Sequence, residues 1–200
     1  GCQEIFDLRR AYEWTASLAQ WCATQPDLVR YRGECLRYRA EVRQLRGQWN
    51  EAARDAQDAC ELLISRPAAG SAFYRRGEIH RLRGEFTKAE EAYTRAHERG
   101  RKPQPGLSLL RLAEGQIDAA AGSIRSVLLD TPAQISRARM LPAAVEILLA
   151  ADDVAAARVA SAELAEIARA FGAPLLTAAS GHATGAVLLA EGDIEAASTS

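Results

Sequence analysis

One phrase recurs along this chain: LRGQWNEAARDA from Leu45 to Ala56, LRGEFTKAEEAY from Leu82 to Tyr93, and AEGQIDAAAGSI from Ala113 to Ile124. Two weaker copies follow, AADDVAAARVAS from Ala150 and AEGDIEAASTS from Ala190. In the phrase an anchor glycine, replaced once by aspartate, is followed by a polar residue, a bulky apolar residue and, three positions later, an alanine. Glycine ends a helix by entering the left-handed conformation without a Cβ penalty. Trp49, Phe86, Ile117, Val154 and Ile194 then come just after the turn, where a bulky side chain is expected to fill the space between two helices. Ala52, Ala89, Ala120, Ala157 and Ala197 fall on the same face of the second helix, small enough to let two backbones approach.

The anchors Gly47, Gly84, Gly115, Asp152 and Gly192 are spaced by 37, 31, 37 and 40 residues, near the roughly 34-residue period of tetratricopeptide repeats. One hairpin cannot bury its own apolar face, so neighbours must stack. The expected fold is all-α: an α-solenoid of stacked antiparallel helical hairpins, a tetratricopeptide-like superhelix. It forms a single domain over 1–200, with approximate repeats at 1–28, 33–66, 70–100, 106–130, 137–171 and 175–200.

Composition supports helices. The chain is 48% hydrophobic but 6% aromatic, rich in Ala, Leu, Arg and Glu, and no sustained period-2 run appears. A net charge of −1 hides an asymmetry: 19 Lys/Arg face 15 Asp/Glu in residues 1–105, giving +4, and 6 face 11 in 106–200, giving −5. That balance reads as a solvated helical surface, since a nucleic-acid footprint would want a clearly basic domain. Cys2, Cys22, Cys35 and Cys60 lack CxxC or His-ligand spacing and suit small buried positions, as reduced thiols in a reducing compartment. With no signal peptide and no membrane-length apolar run, a soluble cytoplasmic protein is expected.

Paired helices can be traced directly. FDLRRAYEWTASLAQWCA reads as one helix ending near Gln25-Pro26, and Tyr12 lies 37 residues before Trp49, as in the second helix of a truncated repeat. Hairpins follow at 33–46 with 49–64 and 71–83 with 86–99. GRKPQPG at 100–106 is the clearest linker. Helices at 107–114 and 117–129 come next, then 142–150 with Pro142 in its first turn, 154–171, and a last hairpin after Gly172-Ala173-Pro174. The chain starts at Gly1 without methionine and stops at Ser200 within an expected second helix, so a segment of a larger protein is expected.

Motifs that carry chemistry are missing from the sequence. It has no phosphate loop, dinucleotide fingerprint, HExxH or GxSxG. His80, His97 and His182 lie far apart, and carboxylate pairs such as Glu90-Glu91 or Asp152-Asp153 point different ways around a helix. No enzymatic activity, cofactor or metal is expected.

The runs YRGECLRYRAEVRQLRGQWNEA, PAAGSAFYRRGEIHRLRGEFTKAEEAY and QPGLSLLRLAEGQIDAAAGSIR, with the later LLAEGDIEAA, closely resemble the helical-repeat region of actinobacterial LuxR-family transcriptional regulators. There a MalT-like tetratricopeptide array precedes a C-terminal helix-turn-helix domain. The resemblance implies a regulatory or sensory module, with DNA bound only through a helix-turn-helix outside these residues.

Departures from the general repeat also matter. Phe73, Gly77, Leu36 and Ala40 fit the first-helix pattern, but Arg76, His80, Arg39 and Arg43 stand at normally apolar positions. Buried arginines need partners, so either the first helices are rotated or these side chains snorkel to the edge. In a standard array the first helices line the concave face, and the positions pointing there are Arg37, Glu41 and Gln44, then Tyr74, Glu78 and Arg81. Arg37, Tyr74 and Arg81 would suit a carboxylate or phosphate beside an aromatic group. The alternative, favoured by the sequence, is that Arg37 and Arg81 pair with neighbours such as Glu41 and Glu78.

Three classes of function remain open. One is a protein- or ligand-sensing domain of a LuxR-type regulator, whose partner is a protein, a peptide or a small effector, with homodimerisation left open. The others are a general peptide-binding scaffold and an accessory domain of a multidomain cyclase or ATPase.

Overall fold

The computed structural model describes residues 8–24 and 29–198, and every regular element in them is an α-helix. They form two compact units, Leu8–Gly106 and 107–198. The division falls at the end of the GRKPQPG segment, where two prolines and two glycines interrupt helix formation.

The first unit contains α1 (Leu8–Ala23), α2 (Val29–Leu45), α3 (Trp49–Leu63), α4 (Ala69–Leu82) and α5 (Phe86–Glu98). Each helix packs on the next, and α2 also meets α4. From the division onward run α6 (Gly106–Ala113), α7 (Ile117–Leu129), α8 (Gln134–Ala150), α9 (Val154–Phe171), α10 (Pro174–Ala190) and the short α11 (Ile194–Ala197). Here α7 packs on α8, α8 on α9, and α10 on α8, α9 and α11. No helix among the described residues is long and apolar enough to cross a membrane.

The repeated phrase closes the same turn five times. Gly47, Gly84, Gly115 and Gly192 take φ values of +74°, +73°, +78° and +84°, and Asp152 takes +59° at the anchor that lacks glycine. In every copy the residue after the anchor donates its N–H to the carbonyl five residues back: Gln48 to Arg43, Glu85 to His80, Gln116 to Arg111, Asp153 to Leu148 and Asp193 to Leu188, each at 2.9 Å. This is the Schellman closure, which satisfies carbonyls left over at a helix end.

The alanines behave as expected, and the bulky residues do so only in part. Ala52, Ala89, Ala120 and Ala157 are fully buried, one turn inside the second helix, where they face the preceding one. Ala197 in α11 is half-buried. Phe86 and Val154 are half-buried, whereas Trp49, Ile117 and Ile194 keep 40%, 37% and 72% of their surface exposed. They are the first residues of their helices, at the end of the hairpin, where the neighbouring chain has already turned away. The close approach is therefore set by alanine, with the bulky residue at the rim.

Pro142 is also placed differently from the sequence expectation. It lies inside α8, which begins at Gln134. Proline removes the hydrogen bond to the carbonyl four residues earlier, a loss on the order of 3 kcal/mol in a helix interior. The longer helix offsets this by burying Ala138 and Leu141 in the core of the second unit, with Ile147, Leu164 and Leu176. Cys35 and Cys60 are buried thiols, as expected; Cys2 and the Cys22 side chain lie outside the described residues, as does the helix end expected at Gln25-Pro26.

Candidate functional site

Spacings of three and four residues along α2 and α4 bring Glu41, Gln44, Tyr74, Glu78 and Arg81 into one polar cluster where α2 meets α4. Its organiser is Arg75, which donates Nη2 to Glu41 Oε1 at 2.7 Å and Nη1 to Gln44 Oε1 at 3.1 Å. One guanidinium thereby ties together the first helices of two successive hairpins. Glu78 accepts a hydrogen bond from the Tyr93 hydroxyl on α5 and pairs with Arg81 Nη2 at 3.4 Å. The Tyr74 and Tyr93 rings lie 5.8 Å apart and tilted, with the Arg101 guanidinium 4.9 Å above Tyr74.

This cluster is closely packed. A Cβ on Gly106 would come 2.1 Å from Glu78 Oε1, and one on Gly77 would come 2.6 Å from the Tyr93 ring. Both positions need glycine because an aromatic ring and a carboxylate occupy the space a side chain would take. Burial pushes the Tyr74 and Tyr93 phenols up, and the Glu78 charge adds to this. Burial works against the charge on Arg75, but Glu41 and Glu78 outweigh it and hold the guanidinium protonated. The Nε atoms of Arg75 and Arg81 are buried without an acceptor, so each guanidinium bonds through its Nη groups.

Each residue read from the concave register can now be placed. Tyr74 is buried under Arg101, and Glu41, Gln44, Glu78 and Arg81 bond within the cluster. Arg81 pairs with Glu78 as the helical spacing suggests. Arg37 does not pair with Glu41: it donates Nε to Glu34 at 2.9 Å and stacks 3.7 Å from the Tyr38 ring centroid. Glu41 is engaged across the hairpins instead, because Arg75 reaches it from α4. The arrangement is a zwitterionic network that fixes helix register, with its charges already compensated.

The arginines at normally apolar positions prove to have internal partners. Arg39 donates Nε and Nη2 to the two carboxylate oxygens of Asp55 at 2.8 and 2.7 Å, and Arg43 donates Nη1 to Oδ2 at 2.6 Å. Asp55 is only 3% exposed, and its hydrogen bond raises the Arg39 pKa despite partial burial. Both arginines remain about 30% exposed at the side chain, so the stems pack while the heads reach an internal acid at the edge. Sequence reasoning missed Asp55, although two arginines one turn apart at apolar positions signal a buried carboxylate on the facing helix. Arg76 and His80 form a second chain: Arg76 Nε lies 3.3 Å from His80 Nε2, and His80 Nδ1 lies 2.7 Å from Glu85 Oε2. That geometry suits a neutral imidazole that accepts from Arg76 and donates to Glu85. Burial lowers the His80 pKa, outweighing the opposing pull of Glu85.

Among the described residues no group of three His, Cys, Asp or Glu side chains could hold a metal ion. No protein-family model matches the chain, and no curated protein matches it significantly. The described residues are all-α, two units in which most helices pack on their neighbours in sequence, with a buried polar network in the first unit.

Proposed function

We propose that this chain is a non-catalytic interaction module of tetratricopeptide-like repeats, acting as the sensing array of a LuxR-type transcriptional regulator. The observation that carries the repeat reading is the fivefold recurrence of one turn, with the same left-handed anchor and the same 2.9 Å closure. Its recurrence at Asp152, where the sequence lacks glycine, favours a repeated unit over a chance series of hairpins. Modules of this type work by presenting side chains of stacked helices to a protein, a peptide or a small effector. The regulator assignment rests on the wording between the anchors, and it places DNA recognition in a helix-turn-helix outside these residues.

The test is DNA binding measured with and without such a domain. The chain alone should bind duplex DNA no better than an unrelated acidic protein at low salt. A full-length protein that carries this chain should bind its promoter with an affinity that shifts when Arg75→Met breaks the α2–α4 link. Tight, salt-dependent binding by the chain itself would overturn the assignment.

A further inference from the structure

A different stripe of α4 faces a groove of about 280 Å3 between α3 and α4. Half-buried Ala53 gives its accessible apolar floor, with the buried Ala56 and Ile79 beneath, and Arg54, Asp58, Arg76 and His80 wall it. The half-buried arginines of the first unit otherwise have carboxylates: Glu34 for Arg37, Asp55 for Arg39 and Arg43, Glu41 for Arg75, and Glu78 for Arg81. Arg76 is the exception. Its Nε is taken by His80, and among the described residues no carboxylate lies within ion-pair distance of its Nη groups. Arg95 on α5 also lacks a carboxylate partner there, resting 5.7 Å from the Phe73 ring centroid. Both guanidiniums act on the buried Cys60 thiol, which burial pushes up to about 12, so it stays protonated and supplies no counter-charge.

We infer that this groove binds an acidic side chain of a partner peptide, with the fixed Arg76 fork taking a Glu or Asp carboxylate over the Ala53 floor. A guanidinium whose Nε is already held presents its Nη edge at little further entropic cost, which favours a planar carboxylate. The apolar floor suits the small aliphatic residues that flank an acid in a peptide. Asp58 on the rim penalises a doubly charged phosphate more than a singly charged carboxylate. The inference stands on the first unit alone and does not require the regulator assignment.

Fluorescence anisotropy with the whole chain and a labelled, terminally blocked peptide of alternating Glu and Ala-Leu residues tests it. The peptide should bind, and its Gln-for-Glu counterpart should bind about tenfold more weakly or less, as expected for loss of a charge-assisted pair. Arg76→Met, which keeps the apolar stem, should lower affinity by about the same factor, with an unchanged far-ultraviolet circular dichroism spectrum. Asp58→Asn should tighten binding by about two- to threefold. If Arg76→Met fails to fold, the Glu-against-Gln peptide comparison on the unmodified chain, together with Asp58→Asn, keeps the proposal open to refutation. Equal binding of the Glu and Gln peptides, or full affinity in folded Arg76→Met, would overturn the proposal. Displacement by millimolar inorganic phosphate as effective as by unlabelled peptide would overturn the peptide assignment.

Discussion

In Leu8–Gly106 a buried carboxylate sits between helices and gathers two arginines, and Arg75 spans two hairpins to reach Glu41. In 107–198 the core is alanine, leucine, isoleucine and valine; Arg125–Asp153 and Arg158–Glu191 stand at the surface, and the one half-buried cross-helix pair among the described ones, Arg137–Glu163, joins α8 to α9 beside that core, with no enclosed acid like Asp55. Both units use the same turn and the same buried alanine. The difference teaches that the repeated phrase sets helix spacing, while the first helices are free to hold their partners by charge or by apolar volume. Charge-based packing specifies register at a cost in desolvation; volume-based packing depends on filling space.

That contrast can be broken most directly in the second unit. Leu164→Ala removes a fully buried side chain and should destabilise 107–198 by about 3 kcal/mol, within the usual range for core leucines. Hydrogen exchange resolved by segment would read the loss in α8 to α10. Equal loss in α2 to α4 would mean the units unfold as one and would remove the basis of the comparison.

The counterpart in the first unit is Asp55→Ala, which leaves Arg39 and Arg43 without their shared acid. Because both heads keep partial access to water, the expected cost is about 2 to 3 kcal/mol, below that for a fully enclosed pair. Replacing all three by apolar residues of similar volume should recover most of that loss in denaturant titrations. Failure to recover would show that the hydrogen-bond geometry itself carries the stability.

Acidification should separate the units next. The His80 pKa is lowered in the folded chain from an ordinary value of 6.5, so the unfolded chain binds the proton more readily and stability falls as pH drops below about 6.5. Glu163, held low by Arg137, and Asp153, held low by the Ala156 amide and then by Arg125, give stability that is lost only as pH falls below the ordinary carboxylate range. Exchange corrected for intrinsic rates should therefore loosen α4 between pH 7 and 5.5 while α9 stays protected. His80→Gln should abolish that early step, and persistence of the step would exclude His80 as its source.

The smallest effect lies at Asp152. A non-glycine residue at positive φ carries a backbone penalty that glycine relieves, so Asp152→Gly should stabilise the second unit by about 0.5 kcal/mol. A loss instead would mean that the aspartate side chain offsets its own backbone strain.

Local features were the legible ones. The anchors, the alanines and the bounds of α7 and α9 follow from spacing within a helix, and even the aspartate anchor behaves as its place in the phrase implies. Glu41, Gln44, Glu78 and Arg81 were legible as residues sharing faces. Their partners were not, because Arg75 and Tyr93 reach them across helices and no within-helix spacing encodes a cross-helix distance. Tyr74 read as open because the segment that covers it, through Arg101, has no helical period from which to place it. Asp55 was hidden in ARDAQDA, where an acid looks like a solvated position until the two arginines of the facing helix are counted against it. Pro142 misled because proline marks helix starts far more often than interiors.

The turn closures have a further consequence. Main-chain bonds alone complete all five, so the side chain that follows each anchor is spare. Gln48 and Gln116 make no cap bond; Glu85 is available to hold His80; Asp153 and Asp193 accept from Ala156 and Ala196. A repeat can therefore change the chemistry it carries at this position without moving either helix. Among the five repeats of this one chain, the position after the anchor already carries glutamine, glutamate and aspartate on the same turn.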